Sequence, residues 1–428
     1  MLTPHKQLFI LGSKTRNPGL FDWYRFLKES EFWTRERLAQ YQTDQCRNLL
    51  IFARDHSPFW RKRFKDHGFV PEHFSSLEDL HVLEPVTKDD VIDHQPDIQS
   101  RYPFKKTFFC ETSGSTGKPL FFHRNESWDS FNRAAMMRGY SWFHVDPWEK
   151  NGYLKGSAFN PGDKILHRSL DMLQNRFRLF SYEEKHMVRF LKKLQKASYL
   201  EGYSSMIYEL AKMARKHGME KTFHLKLIKG TSEQIFNSYQ ILAKEVFNSK
   251  IISEYGAVEA GIIGFECPQG NMHINMEQVI AEEENHEIVV TNLHSFSFPI
   301  IRYKLGDYVE LSEGYCDCGM KHPLIKNVRG RVGKIIYGKD ETYPSITIPF
   351  IFENLQLHHN LSLHYQLIQH HKGHLTIKIE QNLDQHTSSL IEKEMVRHFG
   401  RDMDFEFETN VPILADRGKM KTFISTIE

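Results

Sequence analysis

The sequence predicts a large layered α/β body followed by a small α+β cap. Three observations carry this. Stretches with helical periodicity alternate with short β-like segments through the first 331 residues, which suits helices layered on a sheet. Beyond Arg331 the order becomes helix, strand, strand, helix, strand, which suits a two-layer domain. The charge balance changes at the same place: residues 336–428 sum to −4, against about +6 for the rest. The expected domains are therefore residues 1–331 and residues 336–428, joined at a glycine-containing hinge.

The elements follow in order. Residues 21–66 carry apolar and aromatic side chains at three-to-four spacing (Phe26, Leu27, Leu38, Tyr41, Leu49, Leu50, Phe52), a helical pattern broken at Pro58. TFFC (107–110) reads as a strand feeding a glycine loop. Residues 126–139 and 183–217 read as helical, the second ending at the C-cap glycine Gly218. Segments 225–228, 250–253, 287–291 and 299–303 read as short strands. In the tail the expected elements are helix 346–355, strands 361–370 and 373–380, helix 385–399 and strand 403–408.

The 428 residues allow two to three domains at about 150 residues each. A net charge of +2 gives no electrostatic basis for binding nucleic acid or an anionic membrane. No apolar run approaches a transmembrane span, and the run at residues 8–11 is too short for a signal-peptide core. Five scattered cysteines do not form a disulfide framework. A cytoplasmic protein in a reducing compartment is expected.

The chemistry starts at CETSGSTGKPLFF (110–122). Glycines let a backbone curl its N–H groups inward, and hydroxyls and an ammonium add donors, so the composition suits phosphate. It is not a Walker A loop. Gly114 and Gly117 are separated by two residues rather than four, and Pro119 stands where a metal-binding hydroxyl is needed. The residues alone leave another kind of phosphate loop or a surface turn.

Other motifs decide between these. TSGSTGKP resembles the phosphate loop of the adenylate-forming superfamily, which includes acyl-CoA synthetases, peptide-synthetase adenylation domains and luciferases. In the order of that superfamily follow EYGAVEAG (254–261), similar to its Y-G-x-T-E motif, and YKLGDYVEL (303–311), similar to Y-x-x-G-D. RGRVGKII (329–336) resembles the hinge G-R-x-D, and ADRGKMK (415–421) the C-terminal G-K motif. NLLIFARDHSPFWRKRF and SSLEDLHVLEPVTKDDV narrow the resemblance to phenylacetate–CoA ligases and the capsule-biosynthesis CapK-like family, over roughly residues 45–428.

The resemblance implies an ATP-dependent ligase. A carboxylic acid and ATP give an acyl-adenylate and pyrophosphate, and the acyl group then passes to a thiol, with CoA as the co-substrate. An amine or amino sugar of a polysaccharide precursor is the alternative acceptor, and a nucleotide-binding relative without turnover is a further alternative. The partners are then a small carboxylic acid, ATP and CoA, with no nucleic acid and no membrane.

Carried over residue by residue, Thr112, Ser113, Gly114, Ser115, Thr116, Gly117 and Lys118 hold the β- and γ-phosphates. Tyr255, beside Gly256, stacks on adenine. Asp307 accepts from the ribose hydroxyls, Arg331 contacts the ribose or α-phosphate, and Glu259 binds Mg²⁺. Lys419 is the expected catalytic residue, neutralising charge between carboxylate and α-phosphate; Gly418 precedes it as the motif requires, which Lys421 lacks. Two positions depart from the family pattern. Val258 replaces the usual threonine and removes a hydroxyl, and Gly333 replaces the usual hinge Asp or Lys.

Cys267, His273, Cys316 and Cys318 add a second centre. Three thiolates and one imidazole form a closed tetrahedral set for a structural Zn²⁺, and similar cysteines occur in some relatives of phenylacetate–CoA ligase. His322 is the alternative fourth ligand. The acyl pocket is expected among residues 131–160 and 202–208, with Tyr140, Trp142, Phe143 and Tyr203.

Overall fold

Residues 20–66 fold as three helices, Leu20–Ser30, Arg35–His56 and Pro58–Asp66. Thr34 caps the second by accepting the Arg37 N–H at 3.3 Å, and Pro58 opens the third, where a missing N–H is tolerated. The structure, a computed structural model, describes residues 3–112, 120–154, 170–172, 174–179, 183–331, 335–345, 347–413 and 420–427.

In chain order the first strands are β1 (Thr107–Glu111), β2 (Phe121–Asn125), β3 (Asn151–Tyr153), β4 (Arg176–Arg178), β5 (Tyr199–Tyr203) and β6 (Leu227–Thr231). Next come β7 (Ile251–Ala257), β8 (Gly261–Glu266), β9 (Met272–Ile274), β10 (Val279–Glu284), β11 (Glu287–Asn292), β12 (Tyr303–Ser312) and β13 (Leu324–Arg331). The tail holds β14 (Ile335–Tyr337), β15 (Thr342–Pro344), β16 (Tyr365–Gln369), β17 (His374–Ile379), β18 (Asp404–Thr409) and β19 (Phe423–Ser425). The chain divides into two units, each built from two stretches: Met1–Trp148 with Glu254–Val328, and Glu149–Ser253 with Arg329–Glu428.

In the first unit, strands run β10-β11-β12-β13-β9-β8-β7. The β10–β11 hairpin turns at Asn285 and His286, both at positive φ, as a two-residue turn matched to strand twist requires. β1 and β2 form a separate antiparallel ribbon with Glu111 opposite Phe121. The core of this unit packs Leu49, Trp60, Trp128, Ile263, Val290 and Tyr303.

In the second unit, β4, β3, β5 and β6 are parallel neighbours. Helices Glu184–Leu194 and Ser204–Lys216 lie between them in sequence, the βαβ arrangement. The tail adds a four-stranded sheet, β18-β17-β16-β19, with helices Thr347–His359 and Gln385–Phe399. Asp384 caps the latter helix by accepting the Thr387 N–H at 2.7 Å. The second unit shares one core, from Leu154, Leu200 and Ile228 to Ile351, Leu367 and Ile391.

Two expectations are corrected. The stretch 183–217 is not continuously helical, because Tyr199–Tyr203 is a strand between two helices. Residues 299–302 are not a strand; β12 begins only at Tyr303. Pro299 lacks a ladder N–H, and Arg302 sits at φ 44°, held by Leu83 O at 2.6 Å and by the carboxylates of Glu282 and Glu284.

Candidate functional site

In sequence the glycine loop stands between β1 and β2. Thr112 N–H donates to Leu120 O at 3.0 Å, and Leu120 N–H donates to Thr112 Oγ1 at 2.9 Å. The mouth of the loop is thereby closed on both sides by one buried threonine. Ser113 to Pro119 lie outside the described residues.

From β2, the nearly buried Arg124 reaches the second motif. Its Nη2 donates to Val258 O at 2.7 Å, and its Nη1 lies 3.3 Å from Asp129 Oδ1. Burial pushes the Asp129 carboxyl up, but Arg133, Asn17 and Arg124 outweigh it and hold it below its usual range. Next to Val258, Glu259 is buried and accepts from the Tyr303 hydroxyl at 3.1 Å. Tyr303 opens β12, which also carries Asp307. Asp307 Oδ2 accepts from the Tyr255 hydroxyl at 3.0 Å. The loop mouth, Arg124–Val258, Tyr303–Glu259 and Tyr255–Asp307 are thus four separate hydrogen-bonded links of the first unit, connected to one another through the backbone of β2, the Val258–Glu259 peptide and β12.

Two glycines are fixed by geometry here. At Gly256 the β7–β8 register shifts, and an added Cβ would stand 2.3 Å from Gly261 O. Gly306, before Asp307, has φ 78°, in the left-handed region that disfavours a side chain. Arg331 ends β13, with its side chain outside the described residues; Gly333 and Lys419 also lie outside them.

The cysteine cluster is assembled from three places. Cys267 opens a turn closed by Gly270 N–H to Cys267 O at 2.8 Å, and Cys316 opens another closed by Gly319 N–H to Cys316 O at 3.1 Å. His273 projects from β9. Cys267 Sγ and Cys316 Sγ stand 3.7 Å apart, and Cys318 Sγ lies 3.2 Å from His273 Nε2. All four ligand atoms fall within 4.8 Å of one another. His273 Nδ1 faces His322 O at 3.4 Å, which orients Nε2 towards the thiols.

Burial moves these groups in different directions. It takes the His273 imidazole down to about 4 and so keeps it neutral, while it pushes the Cys267 thiol up and the Cys318 thiol up to about 12. At Cys316 burial is outweighed by hydrogen bonds from the Cys318 N–H and side chains around it, and the thiol comes down. A neutral imidazole beside clustered sulfurs is a donor set for a soft or borderline cation.

His322 does not join this cluster. Its Nε2 pairs with Glu277 at 3.1 Å. Burial pushes the Glu277 carboxyl up, but Arg138 at 2.7 Å and His322 outweigh it and hold it well below its usual range. Of the expected acyl-pocket aromatics, Trp142 packs 5.6 Å from the Phe265 ring and 6.3 Å from His273, at the edge of the cysteine cluster. Tyr140 is buried, and Tyr203 ends β5 in the second unit. The expected span 131–160 runs past Leu154 beyond the described residues.

Sequence reasoning missed Arg124 and, in the second unit, Glu233. Glu233 lies five residues beyond the predicted strand 225–228, and its partners are far away in sequence.

Comparison with solved structures decides the fold. The chain superposes on 2-hydroxyisobutyryl-CoA ligase in the postadenylation state, in complex with R3-HIB-AMP, with a TM-score of 0.73 at 17% identity, covering 93% of this chain and 91% of that one. This is the fold of the adenylate-forming ligases. An open conformation of the same ligase, in complex with 2-HIB-AMP and CoA, gives a TM-score of 0.65 at 17% identity over 92% of this chain and 93% of that one. Among curated proteins, the chain is 22% identical over 410 residues to Protein CapK of Staphylococcus aureus, covering 90% of this chain and 88% of the relative. It is 21% identical over 383 residues to phenylacetate-coenzyme A ligase of Thermus thermophilus, covering 81% of each. No protein-family model matches the chain. Among the described residues, no helix is long and apolar enough to cross a membrane.

Proposed function

We propose that this protein activates a carboxylic acid with ATP, releasing pyrophosphate and forming an acyl-adenylate, then passes the acyl group to the thiol of CoA. The observation that carries this reading is the set of hydrogen-bonded links that fix the loop mouth, the Val258–Glu259 turn and the Tyr255–Asp307 pair within one unit. It lies in a fold shared with a ligase solved with acyl-AMP and CoA.

In this reading the 112–118 loop holds the β- and γ-phosphates. Tyr255 lies against adenine, with its hydroxyl tethered to the carboxylate that would accept the ribose hydroxyls. Arg331 contacts the ribose or α-phosphate. Glu259 is the Mg²⁺ ligand: it is buried, and its one hydrogen bond among the described residues, from Tyr303, leaves oxygen lone pairs for a hard cation. The ion, when bound, offsets phosphate charge. Lys419 neutralises the charge that develops between carboxylate and α-phosphate, a transition-state contribution rather than a binding one.

The cysteine cluster is assigned to a structural Zn²⁺. With bonds of about 2.3 Å, a tetrahedral ion separates its sulfurs by roughly 3.8 Å. The 3.7 Å between Cys267 and Cys316 supports that assignment. Five free cysteines support a reducing, cytoplasmic setting. Residues 1–331 and 336–428 are taken as the two moving parts, with Gly333 at the joint; the separate tail sheet supports this division, although in the conformation described the tail shares one core with residues 149–253.

The acceptor has a second reading. It is an amine or amino sugar of a polysaccharide precursor, the alternative that the capsule-biosynthesis resemblance implies, and the chain is similar to Protein CapK over 90% of its length. Pyrophosphate release across a panel of carboxylic acids, with hydroxylamine trapping and with or without CoA, separates these cases. Hydroxamate plus thioester supports the CoA reading. Hydroxamate without thioester supports the amine reading. ATP binding with neither product refutes the enzyme and leaves a nucleotide-binding relative.

A further inference from the structure

We infer that Glu233 is a positioning residue that ties the C-terminal segment following Lys419 to the carboxyl edge of the parallel sheet, an inference that rests on the reading of Lys419 given above. β5 and β6 are parallel neighbours with Tyr203 beside Thr231. Ser205 lies just past the carboxyl end of β5 and Glu233 just past that of β6. In open α/β sheets, ligands collect outside these ends. The chain turns there through Ser232, a non-glycine residue at φ 65°. Such conformations persist where the surroundings impose them.

Both carboxylate oxygens of Glu233 are in use. Oε2 accepts the Ser205 N–H at 2.8 Å. This is an N–H of the first turn of helix Ser204–Lys216, whose own N-cap residue makes no side-chain cap. Negative charge at that end also suits the helix dipole. Oε1 accepts the Met420 N–H at 2.5 Å, across 187 residues of sequence. Met420 is buried in the second unit's core. Past Met420 the tail is already held: Gln366 Nε2 donates to Lys421 O at 2.9 Å, Leu367 N–H donates to Thr422 O at 2.9 Å, and β19 pairs with β16. Glu233 extends that hold to the residue adjoining Lys419.

The chemistry selects a carboxylate. Two N–H donors converge on one side chain, and only an ionised carboxyl accepts from both with charge assistance. Glutamine offers one acceptor and turns an NH₂ against the other donor. Aspartate keeps both acceptors on a stem one methylene shorter.

The test uses the full chain with Glu233→Gln, Glu233→Asp and Glu233→Ala. Hydrogen–deuterium exchange is read for the peptide containing Met420, with amides of the β16–β17 pairing as the control for an intact fold. Glu233→Gln and Glu233→Ala should speed exchange at Met420 about ten-fold or more, the scale of losing a hydrogen bond to a charged group. Glu233→Asp should fall between these and wild type. In the hydroxylamine trap, Glu233→Gln should lower kcat for adenylate formation about ten-fold with the KM for ATP within about two-fold of wild type. Unchanged Met420 exchange in Glu233→Ala, or wild-type adenylate turnover in that variant, overturns the inference. If wild-type protein traps no hydroxamate with any acid, the function reading fails, and the exchange measurement still decides whether Glu233 holds the tail.

Discussion

Stripping metal from the cysteine–histidine cluster tests the second centre most directly. A tetrahedral ion with bonds of about 2.3 Å to sulfur and about 2.0 Å to nitrogen places sulfur and nitrogen ligands roughly 3.5 Å apart. Cys318 Sγ and His273 Nε2 stand 3.2 Å apart, so only small side-chain adjustments separate this arrangement from a bound one. A ligand that binds only the folded state, present at a thousand times its dissociation constant, stabilises by about 4 kcal/mol. A unit of this size shifts its Tm by about 2–4 °C per kcal/mol, so removal should lower Tm by about 8–16 °C. The assay pairs elemental analysis of unchelated protein with thermal unfolding before chelation, after it, and after zinc is restored. One zinc per chain is expected, lost in Cys267→Ser and His273→Ala and retained in His322→Ala, because His322 pairs with Glu277 instead. A metal ratio near zero in unchelated protein, or an unchanged Tm after complete removal, refutes the reasoning.

Three other outcomes are expected. Asp307→Ala should weaken ATP binding about ten- to a hundred-fold, from a hydrogen bond to a charged group, and Tyr255→Phe should add little to it because the two side chains act as a pair; isothermal titration checks both. Lys419→Ala should lower adenylate formation far more than ATP affinity and still convert supplied acyl-adenylate to thioester, whereas Gly333→Pro should spare adenylation and slow transfer; single-turnover assays of each half-reaction separate them. Burial pushes the Glu380 carboxyl up, but His364 and Lys212 outweigh it and bring it to about 2, so its contribution is present above about pH 4.5 and fades as pH falls from there towards 2. Denaturant midpoints across that window should fall less steeply in Glu380→Gln than in wild type.

What the sequence made legible was local. The glycine loop, the Tyr255 and Asp307 motifs and the cysteine pairs are short runs whose chemistry depends on residue type. The tail was legible for another reason: its periods are clean, and the helix expected at 385–399 is Gln385–Phe399. The strand Tyr199–Tyr203 was hidden because four of its five residues are buried, which erases the alternation that marks a half-exposed strand. The turn at Arg302 was hidden because long-range partners, Leu83 and the acidic β10 residues, impose its backbone. Glu233 was invisible for the same reason: its two donors lie 28 and 187 residues away.

The departure at Val258 takes a different meaning from the structure than from the motif. In the sequence it is the loss of a hydroxyl that the family pattern carries, with nothing to say whether the turn that carries Glu259 depends on it. In the structure the Val258 side chain is exposed, while its backbone carbonyl accepts from Arg124 Nη2 at 2.7 Å. Arg124 is itself held by Asp129, and Asp129 by Arg133 at 2.8 Å and by Asn17 at 2.9 Å. A backbone carbonyl is the same for valine and threonine, so this anchor does not depend on the residue that changed. Glu259 is fixed independently by Tyr303. The substitution therefore removes one polar group from the surface of the turn without loosening the turn. Restoring the hydroxyl with Val258→Thr should change turnover while leaving thermal stability near wild type, and Arg124→Met should lower both. If Val258→Thr destabilises the protein as much as Arg124→Met does, the turn is held by its side chain and this separation of roles is wrong.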